Sequence, residues 1–163
     1  MNTNFFKIKN VILWTYLIIS IFFFLNISMA ETIKPKKDIK PHQVVKLQLI
    51  GLMKNDKPTK DFGIQQTWEF AHPNNKTNTG PIEKFKSMLK GNSYYMLIDH
   101  IEHKIEQVYL SQNLATFEVI ILTNEKKYYK FKWQVEKYIK DGKLKDCWLT
   151  TVVSQPIPLG SSI

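Results

Sequence analysis

The chain has 163 residues, carries 23 lysine or arginine side chains against 14 acidic ones, and has a formal net charge of +9 at pH 7. Every one of the 23 is lysine, because the sequence contains no arginine. Arginine supplies the planar fork that reads guanine edges and clamps phosphates, whereas lysine is a point charge on a flexible stem. The composition therefore disfavours a dedicated nucleic-acid-binding protein.

The first thirty residues have the pattern of a secretory signal peptide. Lys7 and Lys9 precede an apolar run from Val11 to Leu25, and Ser28-Met29-Ala30 offers a small-x-small cleavage site. The apolar run is shorter than the roughly 20 residues that a membrane-spanning helix needs. We therefore expect cleavage after Ala30 and a periplasmic or secreted protein; an uncleaved, membrane-anchoring leader is the alternative.

The remaining 133 residues are enough for one domain with a single core. Residues 31–40 form a lysine-rich segment that we expect to be an exposed, mobile tether. A single α+β domain is predicted over residues 41–153, and residues 154–163 are predicted to leave it as an exposed tail. Four lysines of the tether give it a weak attraction for anionic lipid, which makes envelope association an open alternative: Lys34, Lys36, Lys37 and Lys40.

The first half of the domain has helical periodicity. Apolar residues between Pro41 and Lys54 recur on one helical face, with proline in the first turn. Ile64, Trp68 and Ala71 predict a short second helix that ends at Pro73. After a polar stretch, Thr79 is expected to cap a third helix that ends at Gly91.

From Tyr94 onward the apolar period changes from 3.6 to 2, which predicts antiparallel strands separated by polar turns. The expected strands are Tyr94–Leu110, Leu114–Thr123, Lys127–Tyr138 and Cys147–Val153. The first is long enough to require a bulge or bend between Asp99 and Glu106. Three helices packed on a curved antiparallel sheet of about four strands would enclose a pocket.

An ordered set of short motifs resembles the domain-of-unknown-function family 4864. The set includes Asp61-Phe62-Gly63-Ile64, Trp68-Glu69-Phe70-Ala71-His72-Pro73, Thr79-Gly80-Pro81 and Cys147-Trp148-Leu149-Thr150, within about Gln43 to Val153. The family is similar in layout to the nuclear-transport-factor-two-like superfamily, so the resemblance implies a cone-shaped fold with an internal pocket. It implies no activity, because a fold hosts many functions.

Asp99 and His100 are the candidate catalytic residues. Asp99 inside an apolar cone would have a raised pKa and could act as a general base, and His100 is the other candidate for acid/base work. A solvated or backbone-bonded turn residue is the simpler interpretation of Asp99. The neighbouring His103 lacks the helical spacing to His100 that a metalloprotease motif requires, so neither a metal site nor a cofactor is predicted.

Aromatic residues are the candidate walls of the pocket: Trp68, Tyr94, Tyr128, Trp133 and Trp148. For Trp68, helical spacing favours a place in the core. The lone cysteine, Cys147, lies in an apolar strand-like run, which favours a buried thiol.

The sequence thus predicts an exported domain, monomeric or dimeric, that binds a small apolar ligand or a protein partner without turning it over. An isomerase or hydrolyase that uses Asp99 or His100 is the alternative. No motif dictates a reaction.

Overall fold

Helices come first along the chain and strands follow, in the α+β order that the sequence predicts. The structure is a computed structural model that describes residues 31–161, so the predicted signal peptide at residues 1–30 lies outside the described residues. The chain from Thr32 onward forms one compact unit. Among the described helices, none combines the length and the apolar character that crossing a bilayer requires.

Within residues 31–161, four α-helices precede the sheet, one more than predicted. They are α1 Pro41–Met53, α2 Phe62–Glu69, α3 Pro73–Thr79 and α4 Ile82–Lys90, and a 3₁₀ turn follows at Tyr95–Leu97. The additional helix is α3, which falls on the stretch predicted to be a polar linker. Its sequence shows no apolar period because it buries no residue. It begins with Pro73, and Nδ1 of His72 accepts a hydrogen bond from the backbone N–H of Asn74 at 3.1 Å.

The buried faces of α1 and α4 follow the predicted periodicity. α1 buries Val44, Val45, Gln48, Leu49 and Leu52. α4 buries Phe85 and Leu89, and ends at Gly91 as expected. Thr79 does not cap α4, however, because it is the last residue of α3 and its hydroxyl donates to the Asn75 carbonyl at 2.7 Å.

In the part of the chain that the structure describes, the sheet is antiparallel and has five strands rather than four. The strands are β1 Glu102–Leu110, β2 Leu114–Leu122, β3 Lys127–Lys137, β4 Trp148–Val153 and β5 Ile157–Ser161. Their order is β1-β2-β3-β4, and β5 also pairs with β3. β4 lies beside residues 133–137 of β3, whereas β5 lies beside residues 127–130.

The predicted first strand is too long at its amino-terminal end. Residues 95–97 form the 3₁₀ turn, and Asp99 adopts a left-handed conformation with φ 53°. The chain thus bends at Asp99, one end of the predicted range, and β1 starts only at Glu102. The register shift in β1 lies between Gln107 and Tyr109, beyond that range.

The prediction that the chain leaves the sheet after Val153 is corrected. Ile157–Ser161 adds a fifth strand to β3, with Lys130 opposite Ile157 and Lys127 opposite Ser161. Every residue of β5 is exposed. Because none of its side chains is buried and Pro158 lies within it, the sequence carries no alternating pattern that would reveal the strand.

The amino-terminal segment 31–40 is mostly exposed, as expected, but it is attached to the domain. The backbone N–H of Ile33 donates to Oε1 of Gln66 at 2.8 Å, and Nε2 of Gln66 donates back to the Ile33 carbonyl at 2.9 Å. Two lysines of the segment form ion pairs, Lys34 with Glu69 and Lys37 with Asp146. The segment therefore follows a defined path along the domain.

The core lies between the helices and one face of the sheet. On β3 the predicted alternation is confirmed: Phe131, Trp133 and Val135 are buried and Tyr129 packs against the core. On β2 the residues at every second position are buried: Ala115, Phe117, Val119 and Ile121. One face of the sheet is therefore buried against the helices and the other is more exposed to solvent, which is the α+β arrangement.

Candidate functional site

A cavity of about 300 Å³ lies between the helices and the sheet. Its lining comes from α1 to α4, from the residues around the 3₁₀ turn, and from β3 and β4. Just over half of the lining residues are apolar: Leu52, Ala71, Phe85, Met88, Leu89, Leu97, Trp133, Val152 and Val153. This volume is at the lower end of the range for small-molecule sites, which are typically apolar clefts with a few placed polar groups.

The polar part of the lining is uncharged. It consists of Gln48, Thr67, Asn75, Asn78, Thr79, Tyr94, Thr150 and Thr151. An ion that enters a site without an opposite charge loses hydration and gains no partner. The cavity therefore favours a neutral occupant over an ionised one.

Gln48 is the centre of a hydrogen-bonded network at the cavity wall, and it is only 1 % exposed. Its Oε1 accepts from the Thr150 hydroxyl at 2.7 Å and from Nε1 of Trp133 at 3.1 Å. Its Nε2 donates to the Thr67 carbonyl at 3.0 Å. Because these buried groups satisfy one another, the network holds this part of the wall rigid.

Asn75 combines two hydrogen bonds to β4 with one side-chain oxygen that is unpaired among the described residues. Its Nδ2 donates to the Thr150 and Thr151 carbonyls, at 3.0 and 2.8 Å, which fixes α3 to β4. Its Oδ1 accepts no hydrogen bond from the residues that the structure describes. Tyr94 also lines the cavity, and its hydroxyl donates to the Val153 carbonyl at 3.2 Å. Burial raises the pKa of Tyr94, so this hydroxyl stays protonated.

The five predicted wall residues separate into two groups. Tyr94 and Trp133 line the cavity, whereas Trp68, Tyr128 and Trp148 are not part of its lining. Trp68 packs against Phe85 with ring centroids 4.9 Å apart, and the Lys76 ammonium lies 5.5 Å from its ring.

The other two lie away from the cavity on the sheet. Tyr128 is half-buried and lies opposite Leu122 in the β2–β3 ladder. Trp148 is buried at the start of β4, with the Lys137 ammonium 5.1 Å from its ring.

Asp99 and His100 lie outside the lining of the cavity. Asp99 is exposed at the bend before β1, and its carbonyl accepts from Asn124 at 2.8 Å. His100 is only 2 % exposed, with Nδ1 2.7 Å from the Leu97 carbonyl and Nε2 2.9 Å from Nδ1 of His103. The carbonyl can only accept, so Nδ1 of His100 carries a proton. In neutral His100, Nε2 then accepts the hydrogen of His103 Nδ1.

The pKa of His100 is lowered to about 4, mainly by burial; the hydrogen bond to the Leu97 carbonyl opposes this shift, and the nearby His103 adds to it. Burial also lowers the pKa of His103, as does the neighbouring Lys46. The pair is therefore neutral at pH 7 and links the 3₁₀ turn to the start of β1. Its geometry is that of a buried structural contact.

Cys147 is buried, which confirms the expectation for the lone thiol. Burial is the main cause that raises its pKa, so it is a protonated thiol at neutral pH.

The described residues contain no cluster of three or more histidine, cysteine or acidic side chains that could hold a metal ion.

Sequence reasoning missed Gln48, Asn75 and Thr150. Gln48 carried a usable signal, because it occupies a position on the buried face of α1 between Val45 and Leu49, where a polar residue requires a partner. Asn75 and Thr150 carried none. Their roles depend on α3 lying against β4, which no local pattern reveals.

Fold and site together define an α+β domain whose helices pack on an antiparallel sheet and border a neutral, mainly apolar cavity. No family model, no curated protein and no solved structure matches this chain. The resemblance to domain-of-unknown-function family 4864 stays a prediction.

Proposed function

We propose that this domain binds a small, uncharged and largely apolar ligand in the cavity between its helices and its sheet, without chemical turnover. The observation that carries the proposal is the lining itself, in which no side chain is charged. A water molecule occupies about 30 Å³ in the liquid, so a cavity of 300 Å³ suits a ligand of about ten non-hydrogen atoms. Oδ1 of Asn75 would accept one hydrogen bond from it.

An acid/base reaction finds no support in this cavity. Tyr94 is the one titratable side chain among its lining residues, and burial raises its pKa. General acid/base catalysis at neutral pH is most efficient with a group whose pKa lies near 7. Binding without turnover is the function that this chemistry supports.

We also propose that the fold is the nuclear-transport-factor-two-like cone. The support is the order of the elements, the layer of helices on one face of a bulged antiparallel sheet, and the cavity between the two layers. The ligand preference above does not depend on this assignment, because it follows from the lining residues alone.

Export to the periplasm or the medium remains part of the proposal, supported by the signal-peptide pattern of residues 1–30. Fewer lysines of the segment 31–40 are available to bind anionic lipid than the sequence suggests. Lys34 and Lys37 are in ion pairs, whereas Lys36 and Lys40 make no ion pair with the described residues. Pelleting of chains that start at Glu31 and at Pro41 with anionic vesicles tests this; equal binding would remove the role of the segment.

The ligand preference is tested with two aromatic probes of nearly equal size. Isothermal titration calorimetry of the full chain compares 1-naphthylmethanol, which is neutral, with 1-naphthoate, which is ionised at pH 7. We expect the neutral probe to bind at least about tenfold more tightly, since the carboxylate meets no cation in the cavity. Equal or tighter binding of 1-naphthoate would contradict the proposal.

A matched pair of variants on α4 locates the binding. Met88 lines the cavity, whereas Ser87 is exposed on the same helix and does not line it. Met88→Trp should fill the cavity and abolish binding of 1-naphthylmethanol, and Ser87→Trp should leave binding unchanged. Binding that survives Met88→Trp would place the probe elsewhere.

A further inference from the structure

β1 is an open edge of the sheet. Among the described residues it forms a ladder with β2 alone. Its second half is exposed throughout, and three consecutive apolar residues there are more than half exposed: Val108 at 61 %, Tyr109 at 52 % and Leu110 at 53 %. The strand contains no proline and one lysine. Proteins usually protect such an edge with charges, proline or a covering element, because its free backbone groups can pair with another strand.

We propose that β1 pairs antiparallel with β1 of a second copy of this chain, with Ile105 on the two-fold axis. Symmetry restricts the register. A two-fold axis perpendicular to a continuous sheet places opposing side chains on the same face, and side chains alternate between faces along a strand. One residue of each strand must therefore lie directly opposite its own copy, with the axis midway between the two. We describe this residue as lying on the axis.

Charge selects among the permitted registers. With Ile105 on the axis, Lys104 lies opposite Glu106 of the second copy, and this contact occurs twice. With Lys104 on the axis, two lysines would face each other; with Glu106 on the axis, two glutamates would. Like charges directly opposite each other in a sheet are destabilising, whereas opposite charges stabilise the pair.

Among the registers centred before the β-bulge between Gln107 and Tyr109, two others avoid a like-charge contact, but each leaves more of the edge unsatisfied. An axis at His103 pairs Glu102 with Lys104 but leaves the apolar residues 108–110 uncovered. An axis at Gln107 forms no ion pair. The Ile105 register combines the ion pairs with regular pairing of residues 103–107, and it brings the exposed residues beyond the β-bulge between Gln107 and Tyr109 next to the second copy.

The charged side chains in question are available for this contact. Lys104 and Glu106 are 72 % and 66 % exposed, and within one chain they form only a loose ion pair of 3.3 Å. Glu106 also lies directly opposite Glu118 in the β1–β2 ladder. Glu118 already forms an ion pair with Lys130 at 3.3 Å, so a lysine from the second copy would mainly neutralise Glu106.

Charge reversal tests the register. The full chain and the variants Lys104→Glu, Glu106→Lys and the double variant are compared by sedimentation equilibrium over a wide concentration range, with circular dichroism to verify folding. Either single variant creates two like-charge contacts and should weaken dimerisation by at least about tenfold. The double variant exchanges the charges and should restore the dimer.

Three results would overturn the proposal. The first is a wild-type chain that remains monomeric at every concentration. The second is a dimer that neither single variant weakens, which would place the interface elsewhere, including in residues 1–30. The third is a double variant that stays as weak as the single variants, which would exclude the Ile105 register.

Discussion

The indole N–H of Trp133 on β3 donates to Oε1 of Gln48 on α1 at 3.1 Å, and so joins the helical layer to the sheet through the core. The Gln48 oxygen also accepts from the Thr150 hydroxyl, and its amide donates to the Thr67 carbonyl. One side chain thus satisfies polar groups from α2, β3 and β4. The loss of one hydrogen-bond partner lowers the stability of the fold, because a buried polar group cannot form a replacement hydrogen bond with water.

Replacing Gln48 by methionine keeps the volume and removes both hydrogen-bonding functions. We expect Gln48→Met to lower the free energy of unfolding by about 2 to 4 kcal/mol, because the Thr67 carbonyl loses its side-chain donor and the Thr150 hydroxyl loses its acceptor. Urea denaturation measures this loss. Gln65→Met is the control, since Gln65 is half-buried on α2 and its side chain makes no hydrogen bond with the described residues. An equal effect of both variants would contradict the role of the network.

Gly63 allows α1 and α2 to approach closely. A Cβ atom at Gly63 would lie 2.0 Å from the Gly51 carbonyl oxygen and 2.9 Å from Cα of Asn55, so the backbone would have to move. We expect Gly63→Ala to lower the free energy of unfolding by about 1 to 3 kcal/mol, as overpacked cores do.

Gly51→Ala is the matched control on the other side of the same contact. A Cβ there would lie 3.3 Å from the Gly63 carbonyl oxygen, which a small shift relieves. Alanine also favours the helix relative to glycine. Thermal denaturation should show the larger loss for Gly63→Ala, and the reverse order would contradict the packing argument.

His100 makes stability depend on pH. Its pKa is about 4 in the folded chain against 6.5 for an ordinary histidine, because burial disfavours the charged ring. Between these values the unfolded chain binds the proton more readily, so the free energy of unfolding falls as the pH decreases from about 6.5 to 4. Neutral His100 makes its full contribution to the free energy of unfolding above pH 6.5. Between pH 6.5 and 4 the free energy of unfolding falls by on the order of 3 kcal/mol.

The variant His100→Gln should flatten this part of the pH profile, because its side chain does not titrate. Urea denaturation at several pH values between 4 and 7 gives the slopes. His42→Gln serves as the control, since His42 is exposed on α1. If the slope of His100→Gln equals that of the wild-type chain, the pH dependence arises from other groups.

The amino-terminal segment should stabilise the domain through Gln66. A chain that starts at Pro41 loses both hydrogen bonds between Ile33 and Gln66 as well as the Lys34–Glu69 ion pair. We expect it to unfold at a lower temperature than a chain that starts at Glu31, with a loss of about 1 to 2 kcal/mol.

A double-mutant cycle separates this contact from a general effect of truncation. Gln66→Ala should be destabilising in the chain from Glu31 and nearly neutral in the chain from Pro41, because its partner is already missing there. Additive effects of the truncation and the substitution would show that the segment acts through other contacts.

The sequence by itself determined the elements whose pattern arises from burial on one side. The apolar residues between Pro41 and Lys54 predicted α1, although among them Ile50 is exposed, and the alternation around Phe131 and Trp133 predicted β3, because burial on one side leaves a periodic pattern. Two such layers can bury their apolar faces only against each other, so the α+β class followed as well.

The tertiary structure alone decided the elements and contacts that hold no apolar pattern. α3 and β5 bury nothing, so β5 depends on pairing with β3 and α3 on Asn75 bonding to β4. The cavity walls depend on the same long-range placement, which is why Tyr94 and Trp133 line the cavity while Trp68, Tyr128 and Trp148 do not. Hydrogen bonds between residues distant in the chain leave no periodic trace, and here they decide where the candidate site lies.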